Sequence, residues 1–224
     1  MRILPPILLL ALLWGCAKPS GYEVDTQNRV SPSDQSLDRF IEIMATYRSV
    51  SGLPVRVYFQ GECGVTHQPY FQDVPFPVVR MDEAEEGAEE LEFLRSIFRK
   101  DDTIRIAQDE KKIIRIQIGD PEKDILTTRI ANLPLTENQQ YNGRRAINAI
   151  ESSYDVKAAS ERLGLKQTIP TLLGIGVAPS DKLPNLPAAL KGVTMDEALD
   201  MIAVTLGDIV IYGACASQYT VRAY

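Results

Sequence analysis

The stretch Gly192 to Gly213, GVTMDEALDMIAVTLGDIVIYG, carries the clearest local instructions in the chain. Thr194 and Glu197 stand at capping-box spacing: the Thr194 hydroxyl can accept the Glu197 amide hydrogen while the Glu197 carboxylate accepts from the Thr194 amide. Ala198, Leu199, Ile202, Ala203 and Leu206 then recur as a buried stripe, and Gly207 stops the helix. Asp208 to Gly213 and Tyr219 to Tyr224 read as two strands joined by a turn near Ala216 to Gln218. Helix followed by hairpin predicts an α+β fold, with helices packed on small mixed or antiparallel sheets and residues 186–224 forming a C-terminal helix-plus-hairpin module. In such a module the hairpin offers an exposed strand edge, and Thr220 and Arg222 are its expected outward positions for a partner.

The same order of helix, strand, turn and strand runs from Asp82 to Gly119. Ala84, Ala88, Leu91, Leu94 and Phe98 line one helical face, while seven carboxylates between Asp82 and Glu92 read as a solvated face matched to the helix dipole. Ile104 and Ile106 are expected to face Ile114, Ile116 and Ile118 across a hairpin. Before this unit, Leu37, Phe40, Ile41, Met44 and Tyr47 have helical spacing, ended by Gly52 and Pro54. Val55 to Gln60, VRVYFQ, follows as a strand in which Val55, Val57 and Phe59 alternate with Arg56, Tyr58 and Gln60. Between the two units, a strand at Ile125 to Ile130 and a helix from about Arg144 to Leu163 are expected. Residues 31–170 form the expected main lobe, and the Gly- and Pro-rich stretch Thr171 to Lys191 the expected linker to the C-terminal module.

At the other end, MRILPPILLLALLWGC places Arg2 before an apolar run from Ile3 to Trp14 that is too short to span a bilayer but suits an export signal. Its ending, Leu13-Trp14-Gly15-Cys16, resembles the lipobox of bacterial lipoproteins. That resemblance implies a cleaved signal peptide over residues 1–15, a palmitate-type acyl chain and diacylglycerol on Cys16, and a tether over residues 16–30. An uncleaved N-terminal anchor is the alternative. Lys18, where an Asp-type retention signal is absent, points to the outer membrane, with the body facing the periplasm.

Taking residues 1–15 from the 224 leaves 209, enough for a substantial core. The net charge of −6 becomes −7 once Arg2 is lost, which argues against nucleic acid as a partner. It also assigns membrane attachment to the lipid rather than to a polybasic face. Residues Leu186 to Tyr224 in turn resemble the short N-terminal domain of secretins and TonB-dependent receptors, the likeness resting on Gly192-Val193-Thr194 and Ala198-Leu199. It implies a small C-terminal βαββ-like module that docks onto an envelope protein in a secretion or transport complex, although no barrel or ring segment follows.

Motifs for chemistry are sparse. Gly174-Ile175-Gly176 lacks the strand and helix of a dinucleotide-binding turn, no G-x-S-x-G elbow occurs, and no cysteine pair has zinc spacing. No cofactor or metal site is therefore expected. His67 is the single histidine, and Cys63 four residues before it permits a Cys-His nucleophile, the enzymatic alternative. With Cys16 committed to lipid, Cys63 and Cys215 are instead expected to pair as a disulfide, each standing past the end of a β-type run in an oxidising compartment. Two buried free thiols are the other possibility. The resulting expectation is a binding or assembly component of the envelope and not an enzyme, with a structural lipoprotein lacking a specific partner as a further alternative.

Overall fold

The computed structural model describes residues 37–61, 90–98, 101–167 and 184–224. By contacts the chain divides into Met1–Ser31 and Pro32–Tyr224, and all that follows concerns the second unit. It is an α+β body. Its helices are α1 (Leu37–Ser51), α2 (Glu90–Ile97), α3 (Glu137–Gln140), α4 (Gly143–Ser152), α5 (Tyr154–Leu163) and α6 (Met195–Leu206). Its strands are β1 (Val55–Gln60), β2 (Ile104–Gln108), β3 (Ile114–Ile118), β4 (Arg129–Pro134), β5 (Lys166–Gln167), β6 (Ala189–Thr194), β7 (Val210–Cys215) and β8 (Gln218–Ala223).

Six strands form one sheet in the order β2-β3-β1-β7-β8-β5, and β4 pairs with β6 in a separate ribbon. β1 lies parallel to both β3 and β7, whereas β2 with β3 and β7 with β8 are antiparallel hairpins. The two helix-hairpin units expected from sequence therefore flank a common central strand. Their helices cover opposite faces: α1 and α2 pack with Val55, Val57, Phe59 and Ile211, while α4, α5 and α6 pack with Tyr58, Tyr212, Tyr219 and Val221. Parallel neighbours covered on both faces are the reason β1 is buried from Val55 to Phe59, against the half-exposed strand its alternation suggests.

Local boundaries follow the expected chemistry where a cap dictates them. The Thr194–Glu197 capping box is formed, with Glu197 N–H donating to Thr194 Oγ1 at 3.1 Å and Thr194 N–H to Glu197 Oε2 at 2.7 Å. Gly207 and Gly164 close α6 and α5 in the left-handed region, at φ 73° and 67°. The β2–β3 hairpin forms with Ile104 opposite Ile118 and Ile106 opposite Ile116.

Three boundaries differ from expectation. Ile125 and Leu126 are adjacent and both buried, which a strand cannot satisfy on one face, so Asp124–Thr127 is a 3₁₀ turn and the strand begins at Arg129. The helix expected from Arg144 to Leu163 is two, broken at Ser153, whose backbone is extended (φ −62°, ψ 152°). Its hydroxyl accepts the Val156 amide hydrogen as the cap of α5, and its own N–H donates to Ile150 O. Finally, 186–224 makes no sheet of its own. The strand, helix, strand, strand order is present, but β6 pairs with β4 while β7 and β8 enter the large sheet, and residues from 189 of the expected linker are strand.

Gly143 is the first residue of α4 and is buried. A Cβ there would lie 1.8 Å from Asp208 Oδ2 and 2.9 Å from Ile202 Cγ2, so glycine is required for the approach of α6 and the Asp208 carboxylate. Gly143→Ala is expected to destabilise the fold by about 1–3 kcal/mol through overpacking, read as a lower urea midpoint at unchanged slope. A loss below about 0.5 kcal/mol would mean that Asp208 simply turns aside.

Candidate functional site: a charged cluster between the sheet and helix α6

Parallel register places Arg56 of β1 directly opposite Arg115 of β3. Like charges so placed repel, and Arg56 is fully buried. The compensation comes from α6, whose Asp196 and Asp200, one turn apart, point at the sheet. Arg56 donates to Asp200 Oδ1 at 2.5 Å, to Asp196 Oδ1 at 2.9 Å and to the Asp196 carbonyl at 3.1 Å. Arg115 donates to Asp200 Oδ2 at 2.8 Å and, through Nε, to Asp109 Oδ2 at 2.9 Å. Asp200 is thus shared between two guanidinium groups and is itself buried.

Tyr58, two residues along β1 from Arg56, points to the same face. Its hydroxyl donates to Asp196 Oδ1 at 3.0 Å and accepts from Arg115. Burial pushes the Tyr58 phenol well above its ordinary range, against the lowering effect of the Arg56 charge beside it. The Lys123 ammonium sits 4.8 Å from the centre of the Tyr58 ring, a cation–π contact. Burial lowers the Lys123 pKa, with Asp120 and Asp196 acting in the opposite direction. Toward solvent, Lys111 reaches Asp200 at 3.8 Å.

Asp109 ties this cluster to the hairpin turn. Its Oδ1 accepts the Lys111 and Ile113 amide hydrogens, both at 2.9 Å, which supports Lys112 at φ 62°. Burial works against its ionisation, but the hydrogen bonds from Ile113 and Arg115 and the charge of Arg115 prevail, and the carboxyl is held below its usual range. The cluster therefore consists of a protonated phenol, permanently charged guanidinium groups and carboxylates engaged by them. It clamps α6 onto β1 and β3.

Of the residues singled out from sequence, Cys16, Cys63 and His67 lie outside the described residues. Cys215 ends β7 and is disulfide-bonded. Thr220 and Arg222 are not outward edge positions: β8 lies between β7 and β5, Thr220 is fully buried, and the half-buried Arg222 donates to the Tyr224 hydroxyl at 3.4 Å. The error comes from treating the C-terminal hairpin as a sheet by itself. Among the described strands the outer edge on the opposite side is β2, and Arg95 of α2 donates to its Ile106 carbonyl at 3.3 Å, which hinders pairing with another strand.

Sequence reading missed Arg56, Tyr58, Arg115, Asp196 and Asp200 as a group. One signal was present: Asp200 interrupts the apolar stripe between Leu199 and Ile202, and a carboxylate on the buried face of a helix demands a cation. Among the described residues no cluster of His, Cys, Asp and Glu could hold a metal ion, and no helix is long and apolar enough to cross a membrane. No known protein family, curated protein or solved structure matches this chain.

Proposed function

We propose that this chain is an exported lipoprotein, held at the outer membrane through an acylated Cys16, whose folded body beyond residue 31 serves as a binding or assembly component of an envelope complex on the periplasmic side. The observation that carries this reading is the disulfide at Cys215. A stable structural disulfide belongs to an oxidising compartment, in keeping with the export signal read over residues 1–15. Cys16 and Cys63 are the two other cysteines. If Cys16 carries lipid, Cys63 is the remaining partner, and a sulfur held in a disulfide cannot serve as the nucleophile that a Cys63-His67 enzyme needs.

Position supports the pairing. Gln60 is in register with Ala214, and Gly61 N–H donates to Ala214 O at 2.7 Å, so the chain leaves β1 beside Cys215 and only two residues before Cys63. Two residues span at most about 7 Å, within the reach a disulfide requires.

Cys16→Ser tests the anchor. Wild type is expected in the membrane fraction with a lipid-modified N-terminal peptide by mass spectrometry, and the variant in the soluble fraction. Equal membrane retention of both would overturn lipid anchoring at Cys16. Crosslinking in intact cells then tests the binding role: a discrete crosslinked product is expected, and recovery of uncrosslinked protein alone would favour a structural lipoprotein.

A further inference from the structure

Glu151 lies on the buried face of α4, 2% exposed, and neither carboxyl oxygen has a hydrogen-bond partner of good geometry. The polar groups that act on it are the Gln167 side chain of β5 and the Val221 amide of β8. Tyr219 of β8 is the titratable group facing it, and the Tyr219 hydroxyl is tied in turn to Ser160 of α5. Ser160 donates to the Leu165 carbonyl at 2.7 Å, immediately before β5. None of these groups carries a positive charge.

Glu151 therefore sits where α4, α5, β5 and β8 meet. β5 is the weakest member of that junction. It has two residues, is held by the pairs Lys166–Gln218 and Gln167–Tyr219, and its Lys166 N–H donates to Ser217 O at 2.9 Å.

We propose that Glu151 is a proton-operated latch on the sheet edge: protonated, its side chain packs against Gln167 and keeps β5 on β8, and ionised, it loosens β5 and uncovers the outer edge of β8 at Gln218 and Tyr219. The direction follows from the electrostatics. Burial pushes this carboxyl up to about 8 from an ordinary 4.5, with no cation among the described residues offsetting the cost of charge. The folded chain thus holds a proton that the unfolded chain releases between those two values, and this contribution to stability falls as pH rises through the window. Opening β5 lets water reach the carboxylate at the cost of few hydrogen bonds. The uncovered β8 edge presents unpaired amides and carbonyls that can accept an extended strand.

Amide hydrogen exchange followed by mass spectrometry at pH 6 and pH 9, corrected for intrinsic rates, tests the latch. Wild type is expected to lose at least tenfold protection at pH 9 in 166–167 and 217–219, with β1 and α6 unchanged, and Glu151→Gln to stay protected at both values. Local reading separates Glu151 from Asp208, which burial also pushes up, to about 6, against the charges of Arg48 and Arg144. Equal pH dependence in wild type and Glu151→Gln would overturn the proposal, as would uniform loosening of the wild-type body. Should Glu151→Gln not fold, Gln167→Ala supplies the comparison: weak protection of 166–167 at both pH values supports the latch, and wild-type behaviour refutes it.

Discussion

Arg56→Met and Asp200→Asn are each expected to cost about 1.5–3 kcal/mol of folding stability, because each removes a charge-assisted hydrogen bond from a buried cluster while its former partner keeps a second contact, Asp200 with Arg115 and Arg56 with Asp196. Arg56 is fully buried and its side chain engages both Asp196 and Asp200, so either change leaves the cluster one charge out of balance with part of its pairing intact. The double variant Arg56→Met with Asp200→Asn is expected to lose less than the sum, since the opposed charges leave together and Arg115 keeps Asp109 while Tyr58 keeps Asp196. Urea titration of the four proteins measures the coupling. A buried pair is screened weakly, so 0.5 M salt should leave the coupling nearly intact. If both single variants cost under 1 kcal/mol, the cluster behaves as a surface ion pair and α6 is held by its apolar stripe alone.

The second large effect concerns Cys215. Its replacement with Ala should remove about 2–5 kcal/mol, near the upper end if the closed loop runs back to Cys63, for which chain entropy gives about 5 kcal/mol. The partner is identified by a cycle. Cys63→Ala should cost as much as Cys215→Ala and the double variant no more than either, because one bond is broken in all three. Cys16→Ser should leave the stability of the folded body unchanged. Additive losses from Cys63→Ala and Cys215→Ala would show that the two sulfurs are not joined. Loss of the Cys215 disulfide in Cys16→Ser would make Cys16 the partner and remove the case for a lipid on it.

Local rules made most elements legible from residues alone. The α6 cap at Thr194 and its stop at Gly207 depend on groups within one turn, as do the strand at Val55 to Gln60 and the hairpin from Ile104 to Ile118. Such signals survive any tertiary arrangement. Ser153 also acts locally, but as the cap of α5 inside an otherwise continuous helical stretch, where apolar spacing hides it.

What packed against what belonged to tertiary structure. Alternation in β1 could say only that Arg56 and Tyr58 share a face; that this face is covered by α6 follows from β1 lying between β3 and β7 with helices on both sides. Thr220 is interior because β8, opposite β7 with Thr220 across from Gly213, belongs to a six-stranded sheet with helices on both faces, which the C-terminal hairpin alone could not reveal. Asp200 shows the division most clearly. Its place among Leu199 and Ile202 already required a buried countercharge, since desolvating a lone carboxylate is prohibitive, but two arginines from strands separated by more than fifty residues could be matched to it only by the parallel register of β1 and β3.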